Sequence, residues 1–356
     1  MRMTFLPALL LLLAACSKSA SGDDGTTTQP VTTDNSLQGP IQKPVSGYGA
    51  DGPYTVAEID FTNPQYTSTQ VSVFYPQGIT SPKPTIFFSH PYGGEDKSYN
   101  IGLFNFIAKK GYVVVFVPYR TVDVSIDHRY QTLWEGFLQA AASYRNLIDT
   151  SRVGFMGHSF GGGASIDLAY RAFTEKGWGI NGRFLFTMAP WYSFNWGSPL
   201  TTQQQLQSFP ANTKMISQVY DEDVTNDHRL AIDIYRNINI ANEEKDYIYF
   251  KSSTIAGYTY LTDHVMPNTR SAYDALDYYG VYRLLDALAD YSFNGSANGK
   301  NVALGNGSAA QVTMPGYNGQ VMAPLEVTDA PTPRYPQSRY QFPCSSSTNP
   351  RVGYCN

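Results

Sequence analysis

Gly154-Phe155-Met156-Gly157-His158-Ser159-Phe160-Gly161-Gly162-Gly163 carries an apolar run, then a serine between small residues, then three glycines. The run RVGFMG reads as a short buried strand, and the residues after Ser159, through AYRAF, read as a helix. A G-x-S-x-G match at such a strand-to-helix turn keeps the flanking positions small and lifts the hydroxyl above the end of a sheet. The competing reading is a turn serine that caps the helix behind it. The strand context favours a nucleophile.

Working outward, eight segments read as strands: YTVAEIDF, QVSVFYP, PTIFFSH, YVVVFVP, RVGFMG, RFLFTMAP, TKMISQVY and DYIYFKS. Several are apolar throughout, as strands covered on both faces must be. Between them, NIGLFNFIAKK, TLWEGFLQAAASYRNLI, the stretch after Ser159, LAIDIYRNI and AYDALDYYGVYRLLDALADY read as helices. Strands alternating with helices predict a mainly parallel central sheet flanked by helices, an α/β fold. Ligands of such sheets bind beyond the carboxyl ends of the strands. The residues that follow each strand are therefore the ones to search.

A serine hydroxyl needs a base within hydrogen-bond reach, usually a histidine oriented by a carboxylate. For this motif the chain order is serine, acid, histidine, and only His228 and His264 follow Ser159. His228 opens a helix, where a solvated first-turn residue is expected; His264 follows the last main strand and is the predicted base. The acid comes from YDEDVTND, which offers Asp221, Glu222, Asp223 and Asp227. Asp223 is the first choice and Asp227, which also reads as a helix N-cap, the second. Asp221 reads as an exposed turn residue, and Asp263 adjoins the histidine too closely in sequence to meet it well.

Acyl transfer also needs N–H donors for the developing oxyanion, one from the residue after the nucleophile and one from an earlier loop. Phe160 supplies the first. The glycine loop Pro91-Tyr92-Gly93-Gly94 after PTIFFSH supplies the second, with Tyr92 N–H preferred over Gly93.

The N-terminus, MRMTFLPALLLLLAAC, has a basic start and an apolar stretch too short to span a bilayer, the pattern of an export signal over residues 1–15. Leu13-Ala14-Ala15-Cys16 is similar to a bacterial lipobox, which implies acylation of Cys16 and a lipid anchor, with an ordinary secretory signal as the alternative. By analogy with such lipoproteins, Ser17 and Lys18 in place of aspartate favour the outer membrane over the inner one. Residues 16–47 are rich in Ser, Thr, Gly and Pro and read as a flexible tether. The α/β domain is expected over 48–292, and 293–356 read as a loop-rich extension packed on it. Two cysteines, Cys344 and Cys355, are left for a disulfide that staples this tail.

A formal net charge of −4 without a Lys/Arg cluster excludes a nucleic-acid footprint. Charged residues are only 15% of the chain and tyrosines number 27, which suits uncharged or apolar partners. No cofactor or metal is expected, and a monomer is the expected state.

Taken together, FFSHPYGG, GHSFGG, MAPW, YDED and TDHVMPN resemble the α/β-hydrolase fold, in its dienelactone-hydrolase, cutinase and polyester-hydrolase branch, over roughly residues 53–292. The resemblance implies a serine esterase acting on small or polymeric esters. It also implies an oxyanion role for Tyr92, a cleft role for Trp191, and a C-terminal disulfide like Cys344 with Cys355. Position 160 is Phe where the polyester enzymes commonly have Met. GHSFGG also occurs in phospholipases that hydrolyse platelet-activating factor, so a lipase or phospholipase is the alternative activity. In those enzymes the acid follows the strand after the nucleophile helix, which here ends Met188-Ala189-Pro190-Trp191 without a carboxylate. A catalytically silent surface lipoprotein is the reading of another class.

Overall fold

The computed structural model describes residues 38–355. Among the described residues, nine strands form one sheet: β1 (Val56–Thr62), β2 (Gln70–Pro76), β3 (Lys83–Ser89), β4 (Val113–Phe116), β5 (Ile148–His158), β6 (Arg183–Met188), β7 (Lys214–Tyr220), β8 (Lys245–Phe250) and β9 (Glu326–Thr328). Their order is β1-β2-β4-β3-β5-β6-β7-β8-β9. All pairings from β4 through β3 to β8 are parallel, and only β1, β2 and β9 run antiparallel to their neighbours. The architecture is α/β, with a mixed, mostly parallel sheet.

Alternation along the strands sends successive side chains to opposite faces, and each face has its own core. Ile86, Phe88, Val114 and Phe116 pack on one side with helices α1 (Ile101–Lys109) and α6 (Arg283–Asn294). Phe87, Val113, Val115 and Phe155 pack on the other with α2 (Ile126–Ser143) and α3 (Phe160–Glu175). Two short helices complete the second side, α4 (Thr202–Gln207) and α5 (Arg229–Asn237). Burial on both faces explains why the central strands read as unbroken apolar runs.

Some expectations shift. The helix read over 132–148 starts six residues earlier, at Ile126, because Ser125 caps it by accepting the His128 N–H at 3.1 Å. The helix read over 272–291 is widened to a π-helical segment at Leu276–Tyr282. Gly280 lets that segment lie against Phe250: a Cβ there would stand 2.4 Å from the ring. Cys16 and the export signal lie outside the described residues. At the other end of the expected tether, Ile41 is buried and its N–H donates to the Tyr260 hydroxyl at 3.1 Å, so packing begins before Gly47. One apolar residue in a polar stretch is too weak a signal to place that start.

The extension is less irregular than its composition suggests. Helix α7 (Ala297–Ala303) packs on α6, and β9 closes the sheet edge against β8. Strands this short carry no periodicity to read. The disulfide Cys344–Cys355 lies in the last part of this tail.

Candidate active site

The sheet delivers its functional residues from one end. Ser159 follows β5, Asp223 follows β7, Tyr92 follows β3, and His264 sits in the loop beyond β8 and the small hairpin that follows it. Ser159 has φ 53° and ψ −120°, a left-handed conformation that a side chain adopts at a cost of about 1–3 kcal/mol. Close packing around the turn enforces it. A Cβ on Gly157 would stand 2.2 Å from the Gly161 carbonyl oxygen, and one on Gly161 would stand 1.9 Å from that of Ser89. The Ser159 N–H donates to Met188 O at 2.9 Å, and its carbonyl accepts from Trp191 at 2.8 Å. The hydroxyl makes no capping bond to α3, which removes the helix-cap reading.

Instead it meets a histidine. His264 Nε2 lies 2.9 Å from Ser159 Oγ, and His264 Nδ1 lies 2.8 Å from Asp223 Oδ2. Asp223 is buried, and its Oδ1 accepts the N–H groups of Thr225 at 2.7 Å and Asn226 at 3.1 Å. Burial pushes its pKa up. The hydrogen bond and charge of His264, with the two backbone donors, outweigh that and hold the carboxyl below its ordinary value. Asp223 is therefore ionised and fixes the imidazole with Nδ1 protonated.

A second histidine supports the first. The His158 Nε2–H donates to the His264 carbonyl at 2.7 Å. Burial, and then the neighbouring His264, depress the His158 pKa to about 3, so it stays neutral. His158 was legible only as the variable position of the serine motif.

The rejected candidates have other duties. Asp227 accepts the Arg229 N–H at 3.0 Å and the Cys344 N–H at 2.9 Å, so it anchors the tail. Asp221 accepts from the Tyr249 and Tyr335 hydroxyls, Glu222 pairs with Arg339, and Asp263 accepts the Val265 N–H at 3.1 Å. His228 departs from expectation. It is buried, bonded to Tyr220 O at 2.9 Å, and its pKa is depressed to about 4 by burial. Packing under the tail residue Tyr340, unreadable from the local helix, keeps it from solvent.

The loop carrying Tyr92 is shaped from below. Gly94 N–H donates to Pro91 O at 2.9 Å and Gly93 takes φ 78°, which glycine adopts freely. Buried His90 is held neutral, its pKa lowered to about 3 by burial. It accepts the Tyr119 N–H at 3.0 Å through Nε2 and donates from Nδ1 to Pro91 O at 2.7 Å. Phe160 opens α3, where the first N–H groups have no partner within the helix. Arg129 links the two positions: its guanidinium lies 5.2 Å from the Tyr92 ring and 5.3 Å from the Phe160 ring.

Tyr92, Phe160 and Trp191 line one cleft of about 660 Å³ with Ser159 and His264. Phe342, Gln341 and Asn226, none of them anticipated, line it as well. Arg129 is the one Lys, Arg, Asp or Glu side chain among the lining residues described, so the walls are aromatic and mostly uncharged. Phe342 comes from the tail and stands edge-on to Trp191, with ring centres 6.1 Å apart. The tail reaches the site by pairing with the acid loop. Gln341 N–H donates to Val224 O and Phe342 N–H to Thr225 O, both at 2.8 Å, and Asp227 N–H donates to Phe342 O at 3.2 Å. A buried Arg351–Asp233 ion pair holds the far end of the tail to α5.

Compared with models of known protein families and with curated proteins, the chain matches none.

Proposed function

We propose that this protein is a serine hydrolase of carboxylic esters with an α/β-hydrolase fold. The observation that carries the reading is the unbroken relay Ser159–His264–Asp223, at 2.9 and 2.8 Å, with the serine on a strained turn above the sheet. His264 takes the Ser159 proton as Oγ attacks the ester carbonyl, and Asp223 stabilises the imidazolium. The Tyr92 and Phe160 N–H groups receive the oxyanion. His264 returns the proton to the leaving alcohol, then draws one from the water that releases the acid. These steps use side chains and backbone of this chain, the ester and one water.

Aromatic, largely uncharged walls support neutral esters with planar or apolar acyl groups, and so the polyesterase-like form of the reading. Export on a lipid-modified Cys16 belongs to the same proposal and rests on Leu13-Ala14-Ala15-Cys16 alone. The test is hydrolysis of p-nitrophenyl acetate, butyrate and palmitate by wild type and by Ser159→Ala. Turnover that Ser159→Ala abolishes is expected. A preference for palmitate would move the assignment to a lipase, and a folded but inert wild type to a binding protein.

A further inference from the structure

Asn226 stands beside the nucleophile without a place in the relay. Its Nδ2 lies 3.3 Å from Ser159 Oγ and 2.9 Å from Ala189 O, in a side chain only 2% exposed that lines the cleft. The Ala189 carbonyl can only accept, so the NH2 end of the amide must face it, which settles the orientation. The proton positions around Oγ follow. His264 Nδ1 carries its proton toward the Asp223 carboxylate, Nε2 presents a lone pair, and the serine hydroxyl donates to it. An Oγ lone pair is left to accept from Asn226. Among the described residues, no side chain or backbone donor meets the amide's other end, Oδ1. The bond to the Ala189 carbonyl gives the amide one structural duty but uses only one of the two Nδ2 hydrogens, and the second is free to meet Ser159 Oγ. The loop is fixed nonetheless: Asn226 N–H donates to Asp223 Oδ1, and the residue forms a parallel bridge with Phe342.

We infer that Asn226 is a catalytic residue of acyl-enzyme breakdown, its Nδ2–H stabilising the charge that returns to Ser159 Oγ. The inference rests on the hydrolase reading above. In the second half of the reaction, water adds to the acyl carbonyl carbon as its proton passes to His264 Nε2. The tetrahedral intermediate then collapses, the C–Oγ bond breaks, and its electron pair returns to Oγ, which takes the proton back from His264. The carboxylic acid leaves. A donor aimed at Oγ strengthens its bond as that electron pair arrives. In the first half the donor already bonds the resting hydroxyl, so little is gained as Oγ attacks, whereas the ester Oγ of the acyl-enzyme is a weak acceptor whose bond strengthens on collapse. Asn226 therefore accelerates deacylation much more than acylation, an asymmetry that a merely structural residue does not produce.

The test separates the two halves in Asn226→Leu, with Asn226→Ala as a second variant if the larger side chain disturbs folding. Acylation alone is read from the rate of inactivation by a fluorophosphonate, which modifies Oγ and stays there. Deacylation is read from the burst and steady state with p-nitrophenyl butyrate. The expected result is a steady-state rate about tenfold lower with a larger burst, and a fluorophosphonate rate within about threefold of wild type. Equal losses in both assays, or no change in either, would overturn the role of Asn226. A wild type that neither turns over nor reacts with the fluorophosphonate would instead overturn the hydrolase reading beneath it, and a reactive wild type keeps the two failures apart.

Discussion

Two turns build the relay, and they are built differently. The serine turn, residues 157–163, is dictated by its residue types: Gly157 admits the Gly161 carbonyl from within the turn, Gly161 admits the Ser89 carbonyl at the end of β3, and the strained Ser159 sits between them. The acid loop, residues 221–227, is held mostly from outside. Tail residues 335–344 supply hydrogen bonds at Asp221, Val224, Thr225 and Asp227, and the disulfide and the Arg351–Asp233 pair secure that tail. A turn set by steric limits is written in its own small residues, whatever segment presses on them. A loop set by a distant strap is written in pairings that need the whole chain.

The largest effect is expected at the acid itself. Asp223→Asn should keep both backbone hydrogen bonds through its remaining oxygen, yet lower kcat by about 10⁴, since the imidazole loses the partner that fixes its tautomer. Steady-state kinetics on a p-nitrophenyl ester checks this, and a loss of only a few-fold would return Asp227 to contention. Gly161→Ala attacks the other turn. The added methyl meets the Ser89 carbonyl, and overpacking should destabilise the fold by about 3 kcal/mol, readable in urea unfolding. An unshifted midpoint would show that the serine turn is less tightly enforced than the contacts imply.

Cutting the strap should cost less and act at a distance. Removing the disulfide with Cys344→Ser and Cys355→Ser should lower stability by roughly 2–3 kcal/mol and reduce kcat, because the tail orders the loop that carries Asp223 and Asn226. Full kcat in the double variant would mean that the acid loop holds itself.

The smallest effect lies where the extension meets β8. Buried Asp246 accepts from Gln311 at 2.6 Å, and burial raises its pKa to about 6. A raised carboxyl pKa means the folded state holds the proton more tightly, so this contribution is full below about pH 4 and is lost as pH rises through about 6. Asp246→Asn cannot ionise. It should match wild type near pH 4 and exceed it at pH 8 by on the order of 1–2 kcal/mol, seen as a pH-dependent gap in Tm.

Much of the site was legible. Ser159 stands in a motif whose residue types are dictated by a steric turn, and His264 and Asp223 were reached from chain order and position after a strand. The supporting groups were not. Asn226 sits among four carboxylates that drew the reading toward acids, and nothing local says that its amide faces Ser159 and Ala189. His228 looked solvated because the residue that covers it, Tyr340, is remote. Phe342 lies in a segment without periodicity, yet it walls the cleft.

The sequence by itself determined the alternation of strands and helices, the strained serine and the order of its partners, because periodic burial and hard steric limits act over a few residues. Tertiary structure alone decided between Asp223 and the competing Asp227, that His158 and Asn226 flank the Ser159–His264 pair, and that a disulfide-stapled tail completes the cleft. Those outcomes depend on hydrogen bonds between segments far apart in the chain, whose directions exist only once the sheet has brought them together.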